Sequence, residues 1–124
     1  MTHSTLEKIR LYLKDNKPCK GRVLIVDKLE IHRSSFSNIL ENHGYITATA
    51  DCGFKAIEVL TFFHADIVVI DCSMRRLENL KCSEYIQKID PKISIIFTSP
   101  DASSELKILT IKTGGKALIE KPFT

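Results

Sequence analysis

The chain is 124 residues long, enough for one domain and too short for two, and its 44% hydrophobic and 27% charged residues are those of an ordinary globular protein. The net charge of +3 is small and the bases are interspersed with acids, so no basic stripe for nucleic acid is present. No apolar run is long enough to span a bilayer and Met1-Thr2-His3-Ser4 opens no signal peptide, which makes a cytoplasmic location the expectation, with no membrane contact.

In chain order, the first expected element is an amphipathic helix over residues 4–16. Ser4 is placed as its N-cap with Glu7 three residues on, and Leu6, Ile9 and Leu13 recur at helical spacing. Lys17-Pro18-Cys19-Lys20-Gly21 reads as a turn-rich linker, so the expected division is a helix and linker over 1–20 and a main domain over 21–124. A strand is expected over 22–27, then a helix over 31–42 with Phe36, Ile39 and Leu40 inward and Gly44 closing it. A second strand over 45–50 precedes a helix over 53–63 that buries Ala56, Ile57 and Leu60. The third strand covers 66–71, followed by a loop over 72–79 and a helix over 80–89 with Tyr85 and Ile86. Pro91 breaks the chain before a strand over 93–98, and Pro100 ends it. A helix over 103–112, with Leu106, Leu109 and Thr110 spaced for burial, stops at Gly114-Gly115 before a last strand over 116–119.

Short, bounded, β-branched runs alternating with helical patterns read as parallel strands buried on both faces. Five of them predict a doubly wound α/β domain with right-handed crossovers and helices on both faces of the sheet. In such sheets chemistry gathers beyond the carboxyl ends of the strands. Asp27, Asp71 and Thr98 each end a run, and Lys121 follows one, so the four are expected to converge. Taken singly, each has a plainer reading: a strand-end carboxylate that accepts a helix N–H, a loop hydroxyl, a solvated lysine.

The remaining candidates are weaker. The four cysteines, Cys19, Cys52, Cys72 and Cys82, show no Cys-x-x-Cys spacing and read as small hydrophobes, with Cys72 closest to the site. His3, His32, His43 and His64 show no ligand spacing and read as surface or helix-end residues. No histidine is placed as a base for Asp71 or Cys72, which argues against a small enzyme built on either nucleophile.

The ordered set Val23-Leu24-Ile25-Val26-Asp27, Glu41-Asn42-His43-Gly44-Tyr45, Asp51-Cys52-Gly53-Phe54-Lys55-Ala56, Ile70-Asp71-Cys72-Ser73-Met74, Phe97-Thr98-Ser99 and Lys121-Pro122-Phe123 resembles the receiver domain of two-component response regulators. The resemblance implies a flavodoxin-like fold and a signalling module rather than an enzyme. It implies that Asp71 is the phosphoacceptor, that the Thr98 hydroxyl contacts the phosphoryl group, and that Lys121 pairs with it. The phosphodonor would be a histidine kinase or phosphotransfer protein, and a downstream effector would read the result. Receivers of this kind hold Mg²⁺ through an acid pair after the first strand, the acceptor aspartate and a backbone carbonyl two residues beyond it. Here those positions are Asp27, Asp71 and Ser73, with Lys28 in place of the second acid.

Other positions depart from the family pattern as well. Arg75-Arg76-Leu77-Glu78-Asn79 replaces the usual Pro and Asp-Gly, and Leu118 stands where an aromatic switch residue is usual. The chain also stops at Thr124, where receivers continue into a fifth helix, so the helix over 4–16 is expected to take that helix's place. The leading expectation is a single-domain receiver-like protein that acts through protein–protein contacts, independent of Mg²⁺-dependent phosphorylation, with Lys28 filling the acid pocket and no cofactor. The alternative is a phosphoacceptor that retains Mg²⁺. Dimerisation is open.

Overall fold

The computed structural model describes residues 21–71, 76–99 and 115–120, with side chains over residues 21–71 and 81–99. In chain order the elements are β1 (Arg22–Val26), α1 (Glu30–Asn42), β2 (Ile46–Ala50), α2 (Gly53–Val59), β3 (Ile67–Asp71), α3 (Arg76–Ile89), β4 (Ser94–Ser99) and β5 (Gly115–Glu120). The expected helices over 4–16 and 103–112 lie outside the described residues.

All strand pairs are parallel, in the order β2-β1-β3-β4-β5. The strand β3, Ile67-Val68-Val69-Ile70-Asp71, is buried along its whole length, as a central parallel strand must be when both faces are covered. Successive side chains go to opposite faces. Leu24, Val26, Val68, Ile70, Ile95 and Phe97 therefore meet Ala56 of α2 and Ile86 of α3 in one core. Val23, Ile25, Ile67, Val69 and Ile96 form the other, with Phe36 and Leu40 of α1 and Tyr45. This is the expected doubly wound α/β arrangement.

Local chemistry sets the helix ends. Gly44 adopts φ 91°, open to a residue without a side chain. Its N–H bonds the Glu41 carbonyl and that of Tyr45 bonds the Leu40 carbonyl, a Schellman termination of α1. Helix α2 ends at Val59, short of the expected residue 63. Beyond it the N–H groups of Thr61 and Phe62 bond three residues back, and the Thr61 hydroxyl takes the Glu58 carbonyl at 2.7 Å, which tightens the turn out of α-helical form. Helix α3 begins at Arg76, four residues before the expected start at Leu80. Arg76-Leu77-Glu78-Asn79 contains neither Gly nor Pro, so nothing in that stretch stops the helix from extending.

Candidate functional site

The register brings the strand ends together. Val26 pairs with Ile70 across β1 and β3, so Asp27 and Asp71 follow on neighbouring strands. Asp71 pairs directly with Thr98 across β3 and β4. All three are nearly removed from solvent: Asp27 and Asp71 are 5% exposed and Thr98 2%. Ser99, next to Thr98, is buried as well. Cys72, Ser73 and Lys121 lie outside the described residues.

Asp27 is held by the turn that leads into α1. Its N–H donates to the Ala50 carbonyl at 3.1 Å, which ties the end of β1 to β2. Its Oδ1 accepts the N–H of Leu29, the residue before α1, at 3.0 Å. Its Oδ2 lies 3.3 Å from Nδ1 of His32. Arg33 completes the turn: Nη1 donates to the carbonyl of Asp27 at 2.7 Å and to that of Lys28 at 2.9 Å.

Lys28 corrects an expectation. Its side chain is exposed, and among the described residues no ion pair joins it to Asp27 or Asp71. The backbone explains why. The Lys28 carbonyl is drawn toward Arg33 while the flanking Asp27 and Leu29 close a turn, which leaves the long ammonium stem on the solvent side. A four-carbon stem readily keeps its charge in water.

The residue that does reach the acid is His32, read from the sequence as a surface or helix-end residue; it stands in the first turn of α1, 40% exposed, and its contact with Asp27 is what the sequence reading did not include. The signal was its position: a side chain in the first turn of a helix leans back toward the strand end that precedes it. Arg33 was missed for the same reason. His43, by contrast, sits at a helix end as expected, with Nδ1 2.8 Å from the Ile39 carbonyl, and His64 is exposed.

Mg²⁺ requires close to six hard oxygens in octahedral array. The described pocket offers the carboxylates of Asp27 and Asp71, and both oxygens of Asp27 already have hydrogen-bonding neighbours in Leu29 and His32. No group of three or more His, Cys, Asp and Glu side chains able to hold a metal ion occurs among the described residues. Among the described residues the candidate oxygens are therefore those of Asp27 and Asp71; Ser73, whose carbonyl the resemblance makes a further donor, lies outside them, and water completes most Mg²⁺ shells.

Comparison with known proteins agrees with the fold. Residues 23–124 match the model of the response regulator receiver domain. The chain is 35% identical over 103 residues to chemotaxis protein CheY of Thermotoga maritima, covering 82% of this chain and 86% of that protein. Chemotaxis protein CheY of Bacillus subtilis is 31% identical over the same shares of the two chains. Among solved structures, a response regulator from Thermotoga maritima aligns with a TM-score of 0.79 at 26% identity, covering 84% of this chain and 87% of that one. A CheY-like receiver domain protein from Methanospirillum hungatei aligns with a TM-score of 0.75 at 25% identity, over 84% and 83% of the two chains. With fold and sequence in agreement, the chain belongs to the response regulator receiver family of two-component signalling.

Proposed function

We propose that this chain is a receiver-like signalling module that engages its protein partner without Mg²⁺-dependent phosphorylation of Asp71. The partner is a histidine kinase, a phosphotransfer protein or a downstream effector, met in the cytoplasm, and the chain itself is no enzyme. The observation that carries this reading is the state of Asp27. It is the one acid directly after β1, Lys28 replaces its companion, and its carboxylate is turned to Leu29 and His32. Phosphoryl transfer to a carboxylate needs the charge of the incoming group spread onto cations. A pocket short of metal ligands leaves Lys121 to supply that charge by itself. Leu118, lacking a ring and a hydroxyl, also removes the side chain that reports phosphorylation in related domains.

One observation favours the alternative of a working phosphoacceptor. Asp71 and Thr98 are buried side by side in register, as acceptor and hydroxyl require. Incubating the full chain with acetyl phosphate and Mg²⁺, and reading its intact mass, separates the two. No phosphoryl increment is expected. An increment that disappears in Asp71→Asn would establish the phosphoacceptor and overturn the proposal.

A further inference from the structure

Among the described residues the β2 side of the sheet is an open edge. Among the described residues β2 pairs only with β1, and the backbone hydrogen bonds fix which of its groups face outward. Ile46 donates its N–H to the Gly21 carbonyl, and the Ala50 carbonyl accepts from Asp27. Ile46, Ala48 and Ala50 therefore turn their peptide groups toward β1. By the two-residue period of a strand, Thr47 and Thr49 turn theirs away from it. The strand Ile46-Thr47-Ala48-Thr49-Ala50 carries no charge and no proline, and its pairing runs without a bulge. Those are the devices that ordinarily blunt an edge against strand addition.

A cleft of about 200 Å³ lies at the carboxyl end of this edge. It is lined by Arg33 of α1, by Thr49, Ala50 and Asp51, and by Lys55 and Val59 of α2. Each flanking helix thus contributes one cation, against the single acid Asp51. Arg33 uses Nη1 on the carbonyls of Asp27 and Lys28, which leaves Nε and Nη2 to other acceptors. Lys55 is exposed.

We propose that the β2 edge binds an extended acidic peptide. Its main chain pairs with the outward groups of Thr47 and Thr49, parallel like every other pair in the sheet, so that its carboxyl-terminal acids lie between Arg33 and Lys55. Main-chain bonds supply affinity in strand addition, and the flanking side chains supply selection. The charge balance of the cleft selects acids. One strand, β1, separates this edge from β3 and Asp71, and two separate it from β4 and Thr98.

The probe is a synthetic peptide of alternating valine and threonine ending in two glutamates, with a version ending in two lysines as control. Both are titrated into the full chain and followed by amide NMR shifts. Saturable binding is expected, with shifts centred on Thr47, Thr49 and Asp51, weakened by salt and at least about tenfold weaker for the lysine-ended peptide. Lys55→Glu, at an exposed position, is expected to weaken the glutamate peptide by a similar factor and leave the melting temperature unchanged. Thr49→Pro removes one outward N–H and is expected to abolish binding. Should the proline unsettle the strand, Lys55→Glu and the shift map decide. Equal binding of the two peptides, no saturable binding, or shifts that spare residues 46–51 would overturn the proposal. So would a concentration-dependent dimer through the same amides, which would make a second copy the occupant.

Discussion

His32 Nδ1 lies 3.3 Å from Oδ2 of Asp27, joining the first turn of α1 to the acid that ends the β1 run. The contact shifts the explanation of the divergent pocket from an added cation to a missing ligand. Lys28 points to solvent, where its charge is screened; what the pocket lacks is the oxygen that an acid there would bring. Wild type is therefore expected to bind Mg²⁺ negligibly at millimolar concentration. Lys28→Asp is expected to gain at least about tenfold in affinity, about 1.4 kcal/mol. Lys28→Ala should stay close to wild type. Calorimetric titration of the three proteins checks this, and equal gains in the Ala and Asp variants would restore the ammonium as the cause.

Arg33 fastens the turn after β1 through two hydrogen bonds from one nitrogen, to the carbonyls of Asp27 and Lys28. Hydrogen bonds from a charged donor contribute about 1.5–3 kcal/mol when partly shielded. The site is half-buried, which places the expected loss for Arg33→Ala at the lower end, about 1–2 kcal/mol. Urea unfolding measures it. Arg33→Lys is expected to recover little, since the compact, strongly hydrated ammonium on a flexible stem lacks the rigid planar guanidinium that holds Nη1 between the two carbonyls.

The strand core was legible because burial on both faces leaves an unmistakable run of β-branched residues, as in Ile67-Val68-Val69-Ile70. The convergence of Asp27, Asp71 and Thr98 followed from strand ends alone, since parallel strands in register must deliver them to one edge. The behaviour of Lys28 and His32 was not legible. Adjacent residues in a turn leave in directions that depend on a few backbone angles, and no periodicity encodes these. The start of α3 lies at Arg76 rather than Leu80 because residues 76–79 carry no helix breaker, a propensity that no periodicity marks.

Gly53 opens α2 against α3, and its missing side chain is what allows the approach. A Cβ built there would meet Cys82 Sγ at 2.9 Å and Cys82 Cβ at 3.0 Å. The thiol also donates to the Gly53 carbonyl at 3.6 Å. Gly53→Ala is expected to destabilise by about 1–3 kcal/mol through overpacking, despite the better helix propensity of alanine. Adding Cys82→Ala removes the Sγ clash and leaves the Cβ contact, so part of the loss should return. Denaturant melts of the four proteins in this cycle give the coupling, and additive losses would show that the two residues do not press on each other.

Ile67, Val69 and Ile96 are at most 2% exposed, on the face of the sheet where α1 packs chiefly over β1 and β2. The cover expected over β3 and β4 is the segment 4–16, with Leu6, Ile9 and Leu13, which lies outside the described residues. Three such side chains contribute about 1.5–3 kcal/mol each when buried. Deleting residues 1–16 is therefore expected to lower the melting temperature markedly and to expose dye-binding apolar surface. An unchanged melting temperature would assign the cover to another part of the chain.

Thr98 is where the two readings of the pocket diverge most sharply in a single substitution. It is buried and in register with Asp71. Beryllium fluoride with Mg²⁺ mimics that group on an aspartate, and its effect can be followed by amide NMR without knowing the partner. Wild type and Thr98→Ala are expected to give spectra that do not change on adding the mimic, because neither is expected to hold the metal. In Lys28→Asp the mimic should bind and shift resonances along β4, and in the double variant with Thr98→Ala those β4 shifts should vanish although the metal still binds. That pattern would mean the hydroxyl remains competent and the acid pocket alone silences the switch. A clear, Thr98-dependent response in the wild-type chain would instead identify a working phosphoacceptor, with Lys28 and His32 tolerated beside it.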